Sequence, residues 1–279
     1  MLFVVRFLFA PFYFLGFISV SVWIVQSNSD LFWLTFLFVI AIFISFLAEK
    51  VLPYEPVWNQ SKGDRVSNIL HAIVNEGNNV LSVALIPFFT TIPIGFELWP
   101  SNWPIVLQLT FSMIVADFGI TMGHYFSHKI PLLWRFHAVH HSVKRLYGFN
   151  GLMKHPVHQM FELLLGITPL LLIGMPIEIG ALLAFAVAIQ LMLQHSNVDM
   201  NIGVFAYIWA VAPGHRHHHI ASKIQGDVNF GLFTMIWDHL LGTFVIKRPT
   251  PRNGSLGIEA QPSYPLDYLS QLSEPFRNN

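Results

Sequence analysis

The sequence contains no cysteine and few charged residues. Without cysteine, the chain cannot form disulfides, iron–sulfur clusters or thiolate-ligated haem, and it cannot use thiol catalysis. Charged residues make up 11% of the 279 residues and hydrophobic residues 54%, whereas a soluble domain has about 25% charged residues. The 15 basic and 15 acidic residues balance, so the sequence lacks the positive excess typical of nucleic-acid-binding proteins. This composition indicates an integral membrane protein.

Long apolar runs predict the membrane helices, since a helix needs about 20 mostly apolar residues to span a bilayer. A fifth apolar run is divided by Gly174-Met175-Pro176 and predicts a helical hairpin that either spans the membrane or re-enters it. The sequence therefore predicts an all-α fold, a multi-pass bundle of membrane helices. The five runs cover residues 7–25, 31–48, 80–96, 104–123 and 163–193.

The basic residues predict which side of the membrane each loop faces. None of the 15 Lys and Arg residues lies in the connections 26–30, 97–103 or 174–180. Because cytoplasmic loops collect Lys and Arg, both termini and the histidine-rich segments are expected to be cytoplasmic, in a bacterial inner membrane or the endoplasmic reticulum. The expected parts of the chain are an N-terminal transmembrane hairpin with its connector (1–68), a catalytic domain (69–246) and a polar, loosely ordered tail (247–279).

Histidine is the unusual component of this sequence, with 14 copies, of which twelve lie between His124 and His219. Residues at helical spacings of three and four share one face, so each of three histidine boxes should direct its imidazoles toward one point. Neutral imidazole binds iron, zinc, copper and nickel. Eight box histidines exceed the needs of one ion, which predicts two metals, or one metal with many hydrogen-bonded neighbours. The boxes are His124 and His128; His137, His140 and His141; and His215, His218 and His219.

Several kinds of metal protein are compatible with such boxes. The Glu-x-x-His repeats of carboxylate-bridged bundles and the His-Glu-x-x-His of zinc proteases are both missing. A zinc-dependent membrane hydrolase or isomerase remains an alternative, as does a metal transporter or sensor, although its ligands should lie at mid-membrane depth. A haem protein would need paired histidines on two spanning helices, and His124 has no obvious partner within another predicted span.

The order and spacing of the three boxes resemble the fatty acid hydroxylase and sterol desaturase superfamily of integral-membrane, non-haem di-iron oxidases. The context of the second box, 134–142, and the downstream Asn229-Phe230-Gly231 and Trp237-Asp238 are similar to family elements. The resemblance covers roughly residues 104–246. It implies an enzyme that uses two iron ions and O2 to hydroxylate or desaturate an unactivated C–H bond of a lipid, either a sterol or a fatty acyl or ether lipid.

The resemblance also implies further site residues. It adds His155 and His195 to the eight box histidines as metal ligands, and His155-Pro156 favours the sterol-modifying branch. Asp117 lies two helical turns before His124 and is expected to accept a hydrogen bond from a ligand imidazole. Asp238 is expected to act similarly. The remaining histidines are expected to have structural roles: His71, His158, His217 and His239.

The electrons for such an oxidase are expected to come from another protein. The sequence has no Gly-x-Gly-x-x-Gly dinucleotide loop and no His-Pro-Gly-Gly of a fused cytochrome b5 domain. A cytochrome b5 or ferredoxin-type donor with its reductase is therefore the expected partner, beside the lipid substrate. Lys144 and Arg145 are the expected docking site for an acidic donor.

Overall fold

The computed structural model describes residues 2–90, 98–246 and 251–277. Every regular element in these ranges is helical, and the only strand-like pairs among them are isolated bridges. The longer helices and their connectors are α1 (Leu2–Gln26), α2 (Phe32–Val51), α3 (Arg65–Ala84), α4 (Ile86–Thr90), α5 (Ile105–Lys129), α6 (Pro131–His141), α7 (Pro156–Leu172) and α8 (Ile177–His195). Short α-helices follow: α9 (Ala212–His215), α10 (Lys223–Gly226), α11 (Ile236–Leu241) and α12 (Tyr268–Ser273); 3-10 turns cover Pro56–Asn59, Gly148–Leu152, Gly203–Tyr207 and Glu274–Phe276.

The first two helices form the predicted hairpin. The polar residues that follow α1 end the apolar run, and α2 begins where Asp30 accepts a hydrogen bond from the Phe32 N–H at 2.8 Å. The two helices then pack antiparallel, and the Tyr13 hydroxyl donates to the Ala41 carbonyl at 2.9 Å. The prediction of a short polar turn between two membrane helices is confirmed.

The third membrane helix begins earlier than predicted. The sequence places it at 80–96, but the helix begins at Arg65, and its apolar stretch extends to Phe88. The predicted start is therefore wrong, and residues 91–97 of the predicted run lie outside the described residues.

The reason for this error is the pattern of side chains on α3. Its polar residues Asn68, His71 and Asn75 are buried against the rest of the protein, while Val66 and Ile73 are 70% and 64% exposed. An apolar outer face suits contact with lipid, and a polar inner face is tolerated when protein groups bind it. Mean apolarity along the chain therefore underestimates this helix.

Among the described residues, five helices are long and apolar enough to span a membrane: α1, α2, α3 with its extension, α5 and α8. Helix α7 is shorter, with 17 residues, and α8 returns after a tight turn at Gly174, whose φ of +89° is in the left-handed region that glycine tolerates. The predicted division of the fifth run is confirmed. The chain is thus an all-α, multi-pass membrane protein.

Contacts between helix ends bring the polar connections to one end of the bundle. Arg6, near the start of α1, forms a 2.7 Å ion pair with Asp199, which follows α8. Glu49, near the end of α2, accepts backbone hydrogen bonds from Gly148 at 2.7 Å and Asn197 at 3.0 Å. The start of α1 and the ends of α2 and α8 therefore meet, as the basic-residue pattern predicts for one side of the membrane.

The C-terminal segment differs from the loosely ordered tail that its polarity suggests. Leu256, Ile258 and Tyr264 are buried in a cluster with Trp58 and residues of α6. Gln271 of α12 is 2% exposed and accepts hydrogen bonds from α3. Isolated apolar residues separated by polar ones give little signal in the sequence, yet they hold residues 251–277 against the bundle.

Candidate metal centre

Nine histidines from four parts of the chain converge at this end of the bundle. Helix α5 supplies two from its last turns, α6 supplies three, the end of α8 supplies one, and the segment at and after α9 supplies three. Candidate ligand nitrogens within each of two groups lie within 4.8 Å of one another, and all nine residues are buried. Group one contains His124, His128, His137, His141 and His218; group two contains His140, His195, His215 and His219.

In group one, the Nε2 atoms approach one another in pairs. The Nε2 atoms of His124 and His218 are 2.9 Å apart, those of His128 and His141 are 3.1 Å apart, and those of His137 and His141 are 3.0 Å apart. Helical spacing explains part of this arrangement, since His137 and His141 are one turn apart on α6.

In group two, His195 is the central residue. Its Nε2 lies 3.1 Å from the Nε2 of His140, 3.1 Å from that of His219 and 3.2 Å from that of His215. The Nε2 atoms of His215 and His219 are 3.2 Å apart. Four side chains that are up to 79 residues apart in sequence (His140 to His219) thus share one point.

Backbone carbonyl groups fix the tautomers of several of these imidazoles. Nδ1 of His124 is 2.9 Å from the Phe230 oxygen, and Nδ1 of His218 is 2.8 Å from the Val228 oxygen. Because a carbonyl oxygen only accepts, each Nδ1 must carry the hydrogen, and in the neutral ring Nε2 then carries a lone pair. Nδ1 of His140 and of His195 bond carbonyl oxygens in the same way, those of Met153 and Leu191, both at 2.8 Å.

Facing lone pairs provide the test of whether metal fits these groups. His124 faces His218, and His140 faces His195, with no hydrogen available for a bond between their Nε2 atoms. Such pairs repel each other unless a cation lies between them. Two imidazole nitrogens at about 2.1 Å from one ion, at about a right angle, would be about 3.0 Å apart. The observed separations match, so the donor set fits a metal ion in each group.

The imidazoles are held neutral, as metal ligands must be. Burial, together with the neighbouring imidazoles, places the pKa of His137, His141 and His218 well below the usual value of 6.5. The same two causes lower the pKa of the group-two histidines His215 and His219. Protonation therefore does not compete with metal binding near neutral pH.

Asp227 is a site residue that the sequence interpretation missed. Its Oδ1 lies 3.0 Å from Nδ1 of His128, and its other oxygen contacts the Lys129 ammonium. Burial raises the pKa of this carboxyl, but the contacts with His128 and Lys129 outweigh burial and hold the pKa at about 2. A carboxylate on the outer nitrogen orients a ligand imidazole and increases its basicity. Its position eight residues after His219, outside any box, gave no signal.

Asp117 is near the site but does not contact an imidazole, so the predicted hydrogen bond to a ligand is not present. Its carboxylate accepts hydrogen bonds from the backbone N–H of Phe233 at 2.7 Å, the Thr234 hydroxyl at 2.7 Å and the Trp237 indole at 2.9 Å. It therefore fastens the segment after Gly231 to α5, because these donors have no other acceptor as close on that helix.

Asp238 acts on the preceding part of the same segment. It accepts hydrogen bonds from the backbone N–H of Phe230 and Gly231, both at 2.8 Å, and from the Thr243 hydroxyl at 2.6 Å. The carbonyl of Phe230 is the acceptor for His124. Asp238 thus positions a ligand through the backbone, and not by direct contact with an imidazole as predicted.

His155 does not join either group. Its Nδ1 accepts a hydrogen bond from the Val157 N–H at 3.1 Å, which caps the start of α7, and its Nε2 lies 3.2 Å from the Leu272 oxygen. Both nitrogens are therefore engaged by protein, which contradicts the expectation that His155 is a ligand. The His-Pro pair at this position is a helix start.

The remaining histidines also lie outside both groups. His158 is the nearest, with its ring centroid 4.3 Å from that of His137 and its Nε2 3.1 Å from the Ser127 hydroxyl. The others are His71, His217 and His239. Nδ1 and Nε2 of His71 contact the Lys154 carbonyl and the Gln271 amide oxygen, so it has the structural role that was expected.

A cavity of about 310 Å³ opens beside group one on the side away from α7 and α8. His128, His141 and His218 form part of its wall, together with Asp227 and the exposed Lys223. This cavity gives the site a second approach, separate from the membrane helices.

Comparisons with known proteins agree with this arrangement. The family model for fatty acid hydroxylase matches residues 109–243. The ornithine lipid hydroxylase OlsE of Rhizobium tropici is 32% identical over 263 residues, which is 90% of this chain and 78% of that protein. The alkylglycerol monooxygenases of Danio rerio and Homo sapiens are 28% and 27% identical over 52% of this chain, which corresponds to 31% and 32% of those proteins. No solved structure matches the chain.

The chain belongs to the fatty acid hydroxylase family, and the resemblance drawn from its histidine boxes is confirmed. The matched region, 109–243, contains all nine histidines of the two groups and both carboxylates that hold the segment at 230–238. Its relatives are hydroxylases and monooxygenases, which supports an oxidoreductase.

Proposed function

We propose that this protein is a membrane-bound, O2-dependent hydroxylase of a polar lipid, with one non-haem iron ion in each histidine group. The observation that carries the proposal is the pair of neutral imidazole groups with facing Nε2 lone pairs. Two groups of all-imidazole donors agree with a pair of redox-active metal ions better than with a single structural ion. The relatives named for lipid hydroxylation and monooxygenation support the same reaction class.

Two iron ions, when bound, would supply the activation of O2, so that one oxygen atom enters a C–H bond and the other leaves as water with two electrons and two protons. The chain itself holds the ions through His124, His218, His140 and His195, whose outer nitrogens are fixed by backbone carbonyl groups. Burial keeps the site dry, which protects reactive chemistry from water. The membrane helices hold the lipid beside the site, and this positioning decides which C–H bond reacts.

The substrate is proposed to be a polar lipid, by analogy with ornithine lipid and alkylglycerol in the names of the relatives. The expected lean toward sterols rested on His155-Pro156, and that pair has a capping role in the structure. We infer hydroxylation in preference to desaturation for the same reason, because the named relatives are hydroxylases and monooxygenases.

The electron donor is proposed to be a separate cytochrome b5 or ferredoxin-type protein, but Arg145 cannot dock it. Arg145 is 5% exposed; it donates to Asp64 at 2.8 Å and to the Trp58 carbonyl at 3.1 Å. Lys144 is half-buried against Gly257. We propose instead that the donor docks around Lys223, which is exposed at the cavity beside group one.

A pair of charge reversals tests this docking site. Lys223→Glu should lower the rate of reduction by an acidic donor and leave the iron content unchanged. Lys62→Glu is the matched control, since Lys62 is also exposed but lies in the connector before α3. Equal reduction rates in the two variants would place the docking surface elsewhere.

The orientation of the protein is proposed from its basic residues. Both termini and the histidine groups should face the cytoplasm, because the loops that carry Lys and Arg meet at the end of the bundle where the histidines converge. Single-cysteine labelling of this cysteine-free chain would test it: a cysteine in the 26–31 turn should react with an impermeant reagent from outside.

The experiment that tests the proposed function combines metal analysis with isotope labelling. We expect about two irons per chain without a haem band, and lipid extracts of cells that make the protein should gain 18O from 18O2. The variant His218→Ala should lose the product while still inserting in the membrane. Tightly bound zinc and O2-independent turnover would favour a hydrolase or isomerase, and metal flux without lipid product would favour a transporter or sensor.

A further inference from the structure

Three adjoining cavities lie between α3, α5, α7 and α8 and lead toward the histidines. The outer cavity is lined mainly by apolar and small residues, among them Ala116, Gly166 and Leu183. The middle cavity is polar, and the inner cavity reaches His124, His140 and His195. Ile120 lines all three, so the cavities form one column from the apolar interior of the bundle to the metal groups.

The middle cavity contains a carboxylate without a countercharge. Lys154 and Glu162 both line it, but they form an ion pair with each other, with exposures of 8% and 4%. Glu76, which also lines it, is bonded by the Asn79 amide at 3.3 Å, and no Lys, Arg or His of the described residues lies within 4.0 Å of it. The cavity therefore carries one uncompensated negative charge when Glu76 is ionised.

Two buried amide oxygens beside Glu76 also lack donors. The Asn75 amide nitrogen donates to the carbonyl oxygens of Leu152 and Lys154, both at 2.9 Å, and this fixes Oδ1 as the other amide atom. The Gln159 amide nitrogen likewise donates to the Asn75 carbonyl and the Asn79 side chain. Within the described residues, neither Asn75 Oδ1 nor Gln159 Oε1 has a hydrogen-bond partner, although both side chains are at least 91% buried.

We propose that the middle cavity binds a protonated amine of the lipid substrate's head group. An ammonium group offers three N–H donors and no acceptor, which matches the acceptors of Glu76, Asn75 and Gln159. The space for a ligand atom, about 50 Å³, suits one small group and not a sugar or a phosphodiester. This inference rests on the proposed function for the identity of its ligand as a lipid.

The position of the cavity relates the amine to the reacting carbon. Ile120 and Leu191 line both the middle and inner cavities, and they lie one helical turn before His124 and His195, respectively. A bound amine would thus be about one turn, or about 6 Å, deeper in the bundle than the metal ligands. The acyl part of the lipid would occupy the outer cavity, so the C–H bond that reacts should lie within the head group or next to it.

Equilibrium binding to the metal-loaded, full-length protein in lipid nanodiscs tests the proposal without requiring turnover. The probes are a short-chain ornithine lipid with a free amine and the same lipid with that amine acetylated. We expect the free-amine lipid to bind at least tenfold more tightly, which is the usual size of a charge-assisted hydrogen bond. Glu76→Gln should abolish this preference at unchanged iron content. Glu178→Gln, at an exposed position in the first turn of α8, should leave it intact.

Equal affinity of the wild-type protein for both probes would overturn the amine site, and this comparison needs no variant to fold. Unchanged selectivity in a folded Glu76→Gln protein would overturn it as well. Amine-selective binding without any hydroxylated product would instead contradict the proposed function alone. Turnover that ignores the amine would contradict only the amine site.

Discussion

At the scale of single residues, the outer nitrogen of each ligand imidazole decides how well it is held. In His124, His140, His195 and His218 this nitrogen bonds a backbone carbonyl group, and the ring cannot turn without breaking that bond. His128 is different, because the group beside its outer nitrogen is the carboxylate of Asp227. A side chain can be exchanged where a backbone carbonyl cannot, so His128 is the ligand whose support is open to mutation.

Asp227→Ala should weaken metal binding in group one while group two keeps its metal. Loss of the outer carboxylate on a ligand imidazole typically costs 10- to 100-fold in metal affinity. Iron content after dialysis against a graded chelator series would measure the loss, and we expect it to approach one ion per chain. Asp30→Asn is the control, because Asp30 caps the exposed start of α2 and its replacement is also a good cap. An Asp227→Ala protein that retains both ions at every chelator concentration would refute this role.

At the scale of helices, the contact between α5 and α7 depends on small residues. A side-chain carbon added at Gly119 would lie 2.2 Å from the Leu165 carbonyl oxygen and 2.8 Å from Cα of Gly166, which are backbone atoms. At Gly123 the nearest atom would be the end of the flexible Leu165 side chain, at 3.0 Å. The two glycines are four residues apart and face the same helix, but only one of them sits against backbone.

We therefore expect Gly119→Ala to destabilise the protein by about 1–3 kcal/mol, the usual effect of overpacking. Gly123→Ala should cost clearly less, because the Leu165 side chain can turn away. Thermal unfolding of the two variants in the same detergent would measure the difference. Equal melting temperatures for both variants would show that α5 and α7 can separate without cost, against the close crossing described above.

The helices also show what a sequence can predict and what it cannot. The turn after α1 and the break at Gly174 were predictable, because polar residues and Gly-Pro pairs interrupt uniform apolar runs. The start of α3 was not, because its polar residues face inward toward partners that are distant in sequence, such as Gln271. The ligand histidines were predictable from local spacing. Asp227 and the carbonyl acceptors were not, since any residue type supplies a carbonyl group.

At the scale of the whole molecule, the buried imidazoles make stability depend on pH. The folded, metal-free site holds the pKa of His137, His140, His141 and the third-box ligands well below 6.5, mainly because of burial. In the unfolded chain their pKa is about 6.5. Below that pH the unfolded chain therefore binds protons that the folded chain does not, and stability falls as the pH falls.

Chelator-treated protein should melt at progressively lower temperature between pH 7.5 and 5.5. Each such imidazole contributes at most about 1.4 kcal/mol per pH unit below 6.5, so the combined slope should exceed that of any single group. Bound metal should shift the loss to lower pH, because it stabilises only the folded state. Differential scanning calorimetry in detergent at three pH values would show this, and a melting temperature that is flat from pH 7.5 to 5.5 would contradict it.

Both metal groups are completed by the last histidine box: His218 belongs to group one, and His215 and His219 belong to group two. During translation, neither group has its full set of ligands until residue 219 has left the ribosome and α8 has entered the membrane. Iron loading should therefore be a late step of biogenesis that acts on an inserted, nearly finished chain. A cell short of iron would then accumulate complete but inactive protein, ready to be activated when iron returns, and would not need to synthesise the enzyme anew.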